Sequence, residues 1–347
     1  MKRHLLFLAA LLIVNLAASA QKKFSVYAVG FYNQENLFDT CHDEGKKDYE
    51  YLPNKGWNGM KYTNKLRNMS KALADMGTDV LPNVGCAFIG LSEVENHKVL
   101  DALVDQAPLK ARNMKYVHIE GPDRRGIDCA LLYNPSLFSV KNVKLLPYVQ
   151  ELAKDSAFFT RGFLTVRGEM AGDDVAVIVC HWPSRFSGPF YRESAARQVK
   201  VIKDSLLNVN QEMKIFVMGD MNDDPVNKSM HVYLQAKPEI SQVGAGDMYN
   251  PWYNVLAKEG KGTLFYSGNW NLFDQIVITP NLLNKDAKKK DYSSLKYWKS
   301  HIFRRDYLIQ QEGQYKGAPL RTTAGGRWLN GYRDHWPVVM YLVKEKK

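Results

Sequence analysis

Cysteine is scarce in this chain of 347 residues. Only Cys41, Cys86, Cys129 and Cys180 are present, far apart and with no C-x-x-C pair, so neither a zinc motif nor a dithiol redox motif is written into it. Cys86, Cys129 and Cys180 sit in apolar, strand-like runs and read as buried free thiols. There is no internal repeat, no low-complexity tract and no linker rich in Pro, Gly or Ser, which favours one large domain over residues 21–347. Acidic residues are also in deficit, 36 against 47 Lys and Arg, for a net charge of +11. A basic surface of this kind suits polyanions such as nucleic acid, phospholipid head groups or phosphorylated metabolites, although solubility alone would account for it.

One long apolar run is present, at the start. Lys2 and Arg3 precede Leu5 to Leu16, and Ala18-Ser19-Ala20 closes the run, the pattern of a cleaved signal peptide over residues 1–20. The run is too short to span a bilayer comfortably, and no second candidate follows, so no transmembrane segment is expected. No Cys follows Ala20 to take a lipid. The mature chain, beginning near Gln21, is expected to be periplasmic or extracellular and monomeric.

The most informative stretch is Lys214-Ile-Phe-Val-Met-Gly-Asp-Met-Asn-Asp-Asp-Pro225. Lys214 to Met218 reads as a buried strand, and Asp220, Asn222, Asp223 and Asp224 crowd its end. Alone, these would be turn residues. Other strand ends repeat the pattern. Phe24–Phe31 leads to Asn33, Glu35 and Asn36; Cys86–Leu91 leads to Glu93; Val175–Cys180 leads to His181; Asp274 precedes Gln275–Thr279; and Asp334-His335 precedes Val338–Val343. Phe163–Glu169 and Val175–Cys180 form a hairpin about Gly172-Asp173. Lys115–Ile119 and Ile127–Tyr133 are further strands, with Asp128 out of place in an otherwise apolar run. A helix is expected over Tyr62–Met76, where Leu66, Met69, Leu73 and Met76 recur at helical spacing. Another carries Tyr191, Ala195, Val199, Ile202 and Leu206. Glu95 fits the cap of a short helix after Glu93.

In antiparallel pairs the end of one strand lies beside the start of its neighbour, so these polar ends can share one rim. Carboxylates and amides are hard oxygen ligands for Mg²⁺, Mn²⁺ or Ca²⁺. With histidines and a basic exterior, they fit metal-assisted phosphoester hydrolysis. A calcineurin-type phosphatase would need an Asp-x-His start, which is absent. Arg124 and Arg125 either bind a phosphate or solvate a turn, and Arg185, after His181, is a second candidate for the substrate. From Asn281 to Tyr332 the chain reads as polar, with basic and aromatic residues interleaved between Lys288 and Arg305. Such a face would grip phosphates and stack on bases, and would equally suit a solvated loop.

Six segments in order, Asn33-x-Glu35-Asn36-Leu37, Leu91-Ser-Glu93, His181-Trp-Pro-Ser184, Gly219-Asp-Met-Asn-Asp223, Phe273-Asp274 and Asp334-His-Trp-Pro337, resemble the endonuclease/exonuclease/phosphatase superfamily. Its members include pancreatic-type deoxyribonucleases, abasic-site endonucleases, sphingomyelinases and inositol-polyphosphate phosphatases. The resemblance implies an α/β fold, a four-layer αββα sandwich of two packed mixed β-sheets with helices outside. It implies Mg²⁺ or Mn²⁺ held mainly by Glu93, with Asn33 and Asp334 close by and Glu35 as a weaker contact. Asp220 would orient or deprotonate the attacking water, and Asn222 would hold that water or the phosphate. His335, steered by Asp274, would contact the scissile phosphate, and His181 would stabilise charge on the phosphoryl oxygens. The implied substrate is a phosphodiester, with nucleic acid the first reading; a phosphatase or lipid phosphodiesterase is the alternative, and a non-catalytic binding protein a third.

Overall fold

Strand alternation decides where this chain folds on itself. In β1 (Phe24–Leu37), Val29 and Phe31 point to one side while Ala28 and Tyr32 point to the other, and both sides are buried. A strand buried on both faces needs a layer on each. The computed structural model, which describes residues 23–149, 151, 158–286 and 288–346, supplies them. The expected signal peptide lies outside these residues, and among them no helix is long and apolar enough to cross a membrane.

β1 is followed by β2 (Phe88–Val94), β3 (Lys115–His118) and β4 (Asp128–Tyr133), then by β5 (Phe138–Leu146), β6 (Phe163–Met170), β7 (Asp173–His181) and β8 (Lys214–Asp220). Short β9 (Ala236–Lys237) and β10 (Met248–Tyr249) precede a hairpin of β11 (Leu264–Tyr266) and β12 (Asn269–Asn271). β13 (Asp274–Ile278), β14 (Lys296–Ile302), a second small hairpin of β15 (Thr323–Ala324) and β16 (Arg327–Trp328), and β17 (Val338–Glu345) complete the strands. One sheet runs β14-β17-β1-β2-β4-β3 and the other β5-β6-β7-β8-β13-β10-β9. Both are mixed: β1 and β2 are parallel in the first, β7 and β8 in the second, and most other pairs are antiparallel.

Between the sheets pack Val29, Phe31, Phe88 and Leu131 from one side and Val177, Phe216, Met218 and Ile276 from the other. Contact is close enough at Gly90 that a Cβ there would lie 2.7 Å from Met218 Sδ. Outside the first sheet, helix α1 (Gly59–Asp75) brings Leu66, Met69 and Leu73 onto Ala28 and Tyr32, and α2 (His97–Val104) brings Val99 and Leu100. Short α3 (Ala107–Ala111) follows on that side and adds Leu109. Outside the second sheet, α4 (Pro189–Val209) lays Ala195 and Val199 against Ile178, Ile215 and Val217. This is the four-layer arrangement expected, with the stripes read from the sequence facing inward.

Local chemistry moves several boundaries. Helix α1 begins three residues before Tyr62 because the Asn58 side chain accepts from Lys61 N at 3.1 Å. Glu95 does not cap α2. Asn96 does, accepting from Lys98 N at 2.9 Å, while Glu95 Oε2 takes the Asp39 N–H at 2.8 Å. Asp128, anomalous in the sequence, is a tether: it accepts from Gly121 N at 2.9 Å and pairs with His118 at 3.0 Å. The segment between Lys288 and Arg305 is not a basic-aromatic loop. Lys296–Ile302 is the edge strand β14, paired with β17, and edge strands carry lysines to repel foreign strands. Lys296 is buried with Nζ donating to Asn281 O at 2.8 Å, Phe303 is buried, and Tyr292 packs on Phe24.

Candidate active site

Register places the central groups. Asp220 pairs with His181 across the parallel β7–β8 ladder and with Asp274 across the antiparallel β8–β13 ladder, so three candidate site residues stand side by side on neighbouring strands. Gly219 makes this fit: a Cβ there would run into the Cys180 carbonyl, so a larger residue would force apart the strands that carry His181 and Asp220. Beyond Asp220 the loop is stapled down. Asp223 accepts from Ser229 at 2.7 Å, and Asp224 accepts from Leu272 N at 2.7 Å. These two carboxylates fix the loop rather than face the cleft.

The first sheet contributes through irregularities. Between Ser92 and Val94, β2 bulges against β4, and Glu93 sits there at φ 59°. β1 breaks register between Asn33 and Leu37, with Glu35 at φ 47° and Asn36 at φ 57°. Such φ values are uncommon for residues with a Cβ, cost on the order of 1–3 kcal/mol each, and cluster at functional sites. A bulge re-aims a side chain. Here it turns Glu93 to the rim, where Oε2 accepts from Asn36 N at 2.9 Å and Oε1 from Asn33 Nδ2 at 3.1 Å. The same Asn33 amide donates to Asp220 Oδ2 at 3.0 Å, joining the two sheets at the centre of the site.

His335 enters from the loop before β17. Its Nδ1 meets Asp274 Oδ2 at 2.6 Å, and Thr263 Oγ1 donates to the same oxygen at 2.6 Å. Glu93, His181 and Asp220 offer atoms all within 4.8 Å of one another, as do Asp220, Asp274 and His335. Nearby, Glu35 accepts from Thr322 N at 3.0 Å and lies 3.8 Å from the buried Lys65. Asp334 is shared between Arg321 at 2.8 Å and Arg333 at 3.2 Å. Arg333 is itself buried and stands 3.9 Å from both Asp220 and Asp274.

The electrostatics follow from this crowding. Burial raises the Asp220 pKa, with Asp274 and Glu93 adding to it against His335 and Arg333. Burial likewise raises that of Glu35, helped by Asp334. Burial brings Lys65 down to about 8. Burial and then Arg161, Arg125 and Arg333 hold His181 well below the usual imidazole value, so it is neutral. For His335, burial and Arg333 pull down, but Asp274 and Asp334 prevail and the ring is raised. Asp334 is held low because His335, Arg333 and Arg321 outweigh its burial. Glu35, Glu93, Asp220, Asp274 and Asp334 thus bring five carboxylates together at one rim, and with the Asn33 amide beside them these oxygen donors fit a hard divalent cation.

Most of these groups line a cleft of about 400 Å³. Glu35, Glu93, Arg125, His181, Asp220, Asn222, Asp334 and His335 line it, while Asn33 and Asp274 stand behind, hydrogen-bonded to residues that do. Arg185 is turned to Asp224 at 2.8 Å, Asn227 at 3.2 Å and Asn271 at 3.0 Å and does not line the cleft; its neighbours Ser184 and Ser187 do. No residue between Lys288 and Arg305 reaches it. Sequence reading passed over Arg161, Arg321 and Arg333. Arg161 lines the cleft and braces it, donating to His181 O at 3.1 Å, Trp182 O at 2.8 Å and Asp123 at 3.0 Å. Arg333 precedes Asp334 directly and was the one within reach of a motif.

Arginines and a neutral histidine around a divalent-cation site are what a phosphate ester requires, and the class this fold and rim define is the metal-dependent phosphoester hydrolase. The sequence profile of the endonuclease/exonuclease/phosphatase family matches residues 28–344, and the chain belongs to that family. No curated protein sequence matches it significantly. Among solved structures, an endonuclease/exonuclease/phosphatase family protein from Bacteroides thetaiotaomicron aligns with a TM-score of 0.54 at 14% identity, over 93% of this chain and 97% of that one. Danio rerio TDP2 complexed with a single-strand DNA product aligns at 0.53 and 11%, over 92% and 99%. A mannosyl-6-phosphatase from Bacteroides thetaiotaomicron VPI-5482 aligns at 0.53 and 14%, over 91% and 99%. At such identities the likeness is one of fold.

Proposed function

We propose that this chain hydrolyses phosphate esters by attack of a water molecule held at Asp220. The observation that carries this reading is the junction at that residue, where Asn33 bridges Asp220 to Glu93 at 3.0 and 3.1 Å beside the Asp274–His335 pair. Mg²⁺ or Mn²⁺ held by Glu93 would neutralise charge on the phosphoryl group and lower the barrier to attack. Asp334 would join as a ligand by giving up Arg321.

The chain's own groups divide the remaining work. Asp220 orients the water and takes its proton as the water oxygen bonds to phosphorus. Asn222 lines the cleft with its Nδ2 tied to Trp182 O at 2.9 Å, which would leave its side-chain oxygen for the water. His335, with Nδ1 committed to Asp274, keeps Nε2 for a phosphoryl oxygen. Arg125 and Arg333 hold the remaining oxygens. The ester bond then breaks, and the leaving oxygen departs as an alcohol after taking up the proton.

Nucleic acid remains a second reading, favoured by the net charge of +11. Export through Met1–Ala20 and action as a monomer complete the proposal, supported by the Lys2-Arg3, Leu5–Leu16 and Ala18–Ala20 pattern. A metal-supplemented panel of an aryl phosphodiester, an aryl phosphomonoester, plasmid DNA and RNA tests the chemistry. Turnover of none of them, with metal present, would overturn the hydrolase reading.

A further inference from the structure

A second cavity, of about 670 Å³, adjoins the catalytic cleft and shares Arg321 and Asp334 with it. One wall is the tip of the β11–β12 hairpin, Phe265 to Ser267; the other is the loop that carries Glu312, Gln314 and Tyr315. Large rings are left in water here without a packing reason, Tyr266 being 66% exposed and Tyr315 54%. Neither wall takes part in the chemistry at Asp220. What the cavity can do is receive whatever is attached to a phosphate held at the shared arginine.

Its charge decides between occupants. The acids on its lining are Glu312 and Asp334, and the basic residue is Arg321, already paired with Asp334 at 2.8 Å. A nucleic-acid strand laid through it would bring several backbone phosphates past Glu312, of which the single cation Arg321 could meet one. A neutral group carrying many hydroxyls meets no such penalty. Glu312 accepts hydrogen bonds, Gln314 both donates and accepts, and Ser267 does both. The tyrosine faces offer flat apolar surface to the C–H side of a ring, with their hydroxyls at the wet end.

We propose that this cavity binds the sugar ring of a phosphorylated sugar, with its phosphate placed at Arg321 and its ester presented to Asp220 and His335. The assignment rests on the hydrolase reading for the second half of that statement and on the cavity alone for the first. Phosphate binding at Arg321 fixes one end of the ligand, and stacking on Tyr266 and Tyr315 fixes the other.

Calorimetric titration of the metal-free full chain tests it, with inorganic phosphate, a panel of hexose 6-phosphates and adenosine 5′-monophosphate as probes. At least one hexose 6-phosphate is expected to bind about tenfold or more tightly than inorganic phosphate, a difference of about 1.4 kcal/mol. Tyr266→Ala combined with Tyr315→Ala should erase that preference and leave the affinity for inorganic phosphate unchanged. Both residues are exposed, so the variant is expected to fold, and its melting temperature checks this. The proposal is overturned if no hexose phosphate binds more tightly than inorganic phosphate, if the preference survives the double replacement, or if the nucleotide binds more tightly than every sugar phosphate. Hydrolysis of an aryl phosphate with added Mg²⁺, measured in parallel, separates the two claims. Aryl turnover without a sugar preference would remove the cavity assignment alone, and a sugar preference with no turnover of any ester in the panel above would remove the hydrolase reading alone.

Discussion

Asp220 and Asp274 lie directly opposite one another across the β8–β13 ladder, yet it is Asp274, at 2.6 Å, that holds Nδ1 of His335, while Asp220 stays 3.9 Å from that nitrogen. Two carboxylates on adjacent strands are thereby given different work. One is bonded to the ring, and the other, in the reaction proposed above, would hold the water.

Replacing them should therefore separate two effects. Asp220→Asn is expected to lower kcat on an aryl phosphodiester by about 10²–10⁴-fold, the usual worth of a positioned general base. Asp274→Asn should cost less and leave KM near its original value, because His335 keeps its place but loses its steering. Steady-state kinetics check this, with melting curves to confirm the fold. A loss for Asp274→Asn as large as that for His335→Ala would show that steering is too small a role for Asp274.

Removing divalent cations should abolish hydrolysis, and Mg²⁺ or Mn²⁺ should restore it. Because a cation bound by the folded chain alone stabilises it by mass action, adding one should also raise the melting temperature. Glu93→Gln is expected to lose both the activity and most of the metal-induced rise. Full turnover in a rigorously metal-free preparation would contradict the assignment of Glu93.

Acid stability has a readable contributor far from the cleft. His301 on β14 meets Asp79 at 3.0 Å, and burial lowers its pKa despite that carboxylate. Below pH about 6.5, the unperturbed value, the unfolded chain takes the proton more readily than the folded one. Stability is therefore lost as pH falls from there to the folded-state value, and the loss is complete below it. His301→Gln should flatten this part of the curve, as measured by urea midpoints at pH 7.5 and pH 5.5 relative to the original chain. An unchanged difference between the two pH values would remove His301 from the account.

The basic edge strand should matter little to catalysis. Lys299→Ser is expected to leave kcat/KM unchanged, within about twofold, for both a single-stranded oligonucleotide and an aryl ester. Lys296→Ser should instead lower stability by about 1 kcal/mol, through its buried hydrogen bond to Asn281 O. A large, salt-dependent rise in KM for the oligonucleotide alone would return β14 to a nucleic-acid role.

The sequence was most legible where periodicity and chain order carry the information. The apolar runs of β1, β7 and β8 and the stripe in α1 marked buried strands and a packed helix, the family resemblance implied the two sheets with helices outside, and Asp220, Asp274 and His335 could be read from where they sit at strand ends. Glu95 was misjudged because capping depends on which of two adjacent side chains reaches the first turn, and Asn96 does so with the shorter arm. β14 hid because an edge strand defends itself with the residues that mark a loop. Arg161, Arg321 and Arg333 gave no sign as single basic residues, since their roles come from carboxylates and carbonyls brought in from distant parts of the chain.

Asn33 spans from Glu93 on one sheet to Asp220 on the other, and so joins the site across the seam of the sandwich. Neither sheet owns a complete set of reacting groups. A small slip of one layer over the other would leave each layer's hydrogen-bond ladder whole while pulling Glu93 and His335 away from Asp220 and Asp274. Turnover therefore works as a gauge of how well the two layers are docked. Under mild denaturant it should fade while the far-ultraviolet signature of the strands persists, and for this chain losing activity need not mean losing secondary structure.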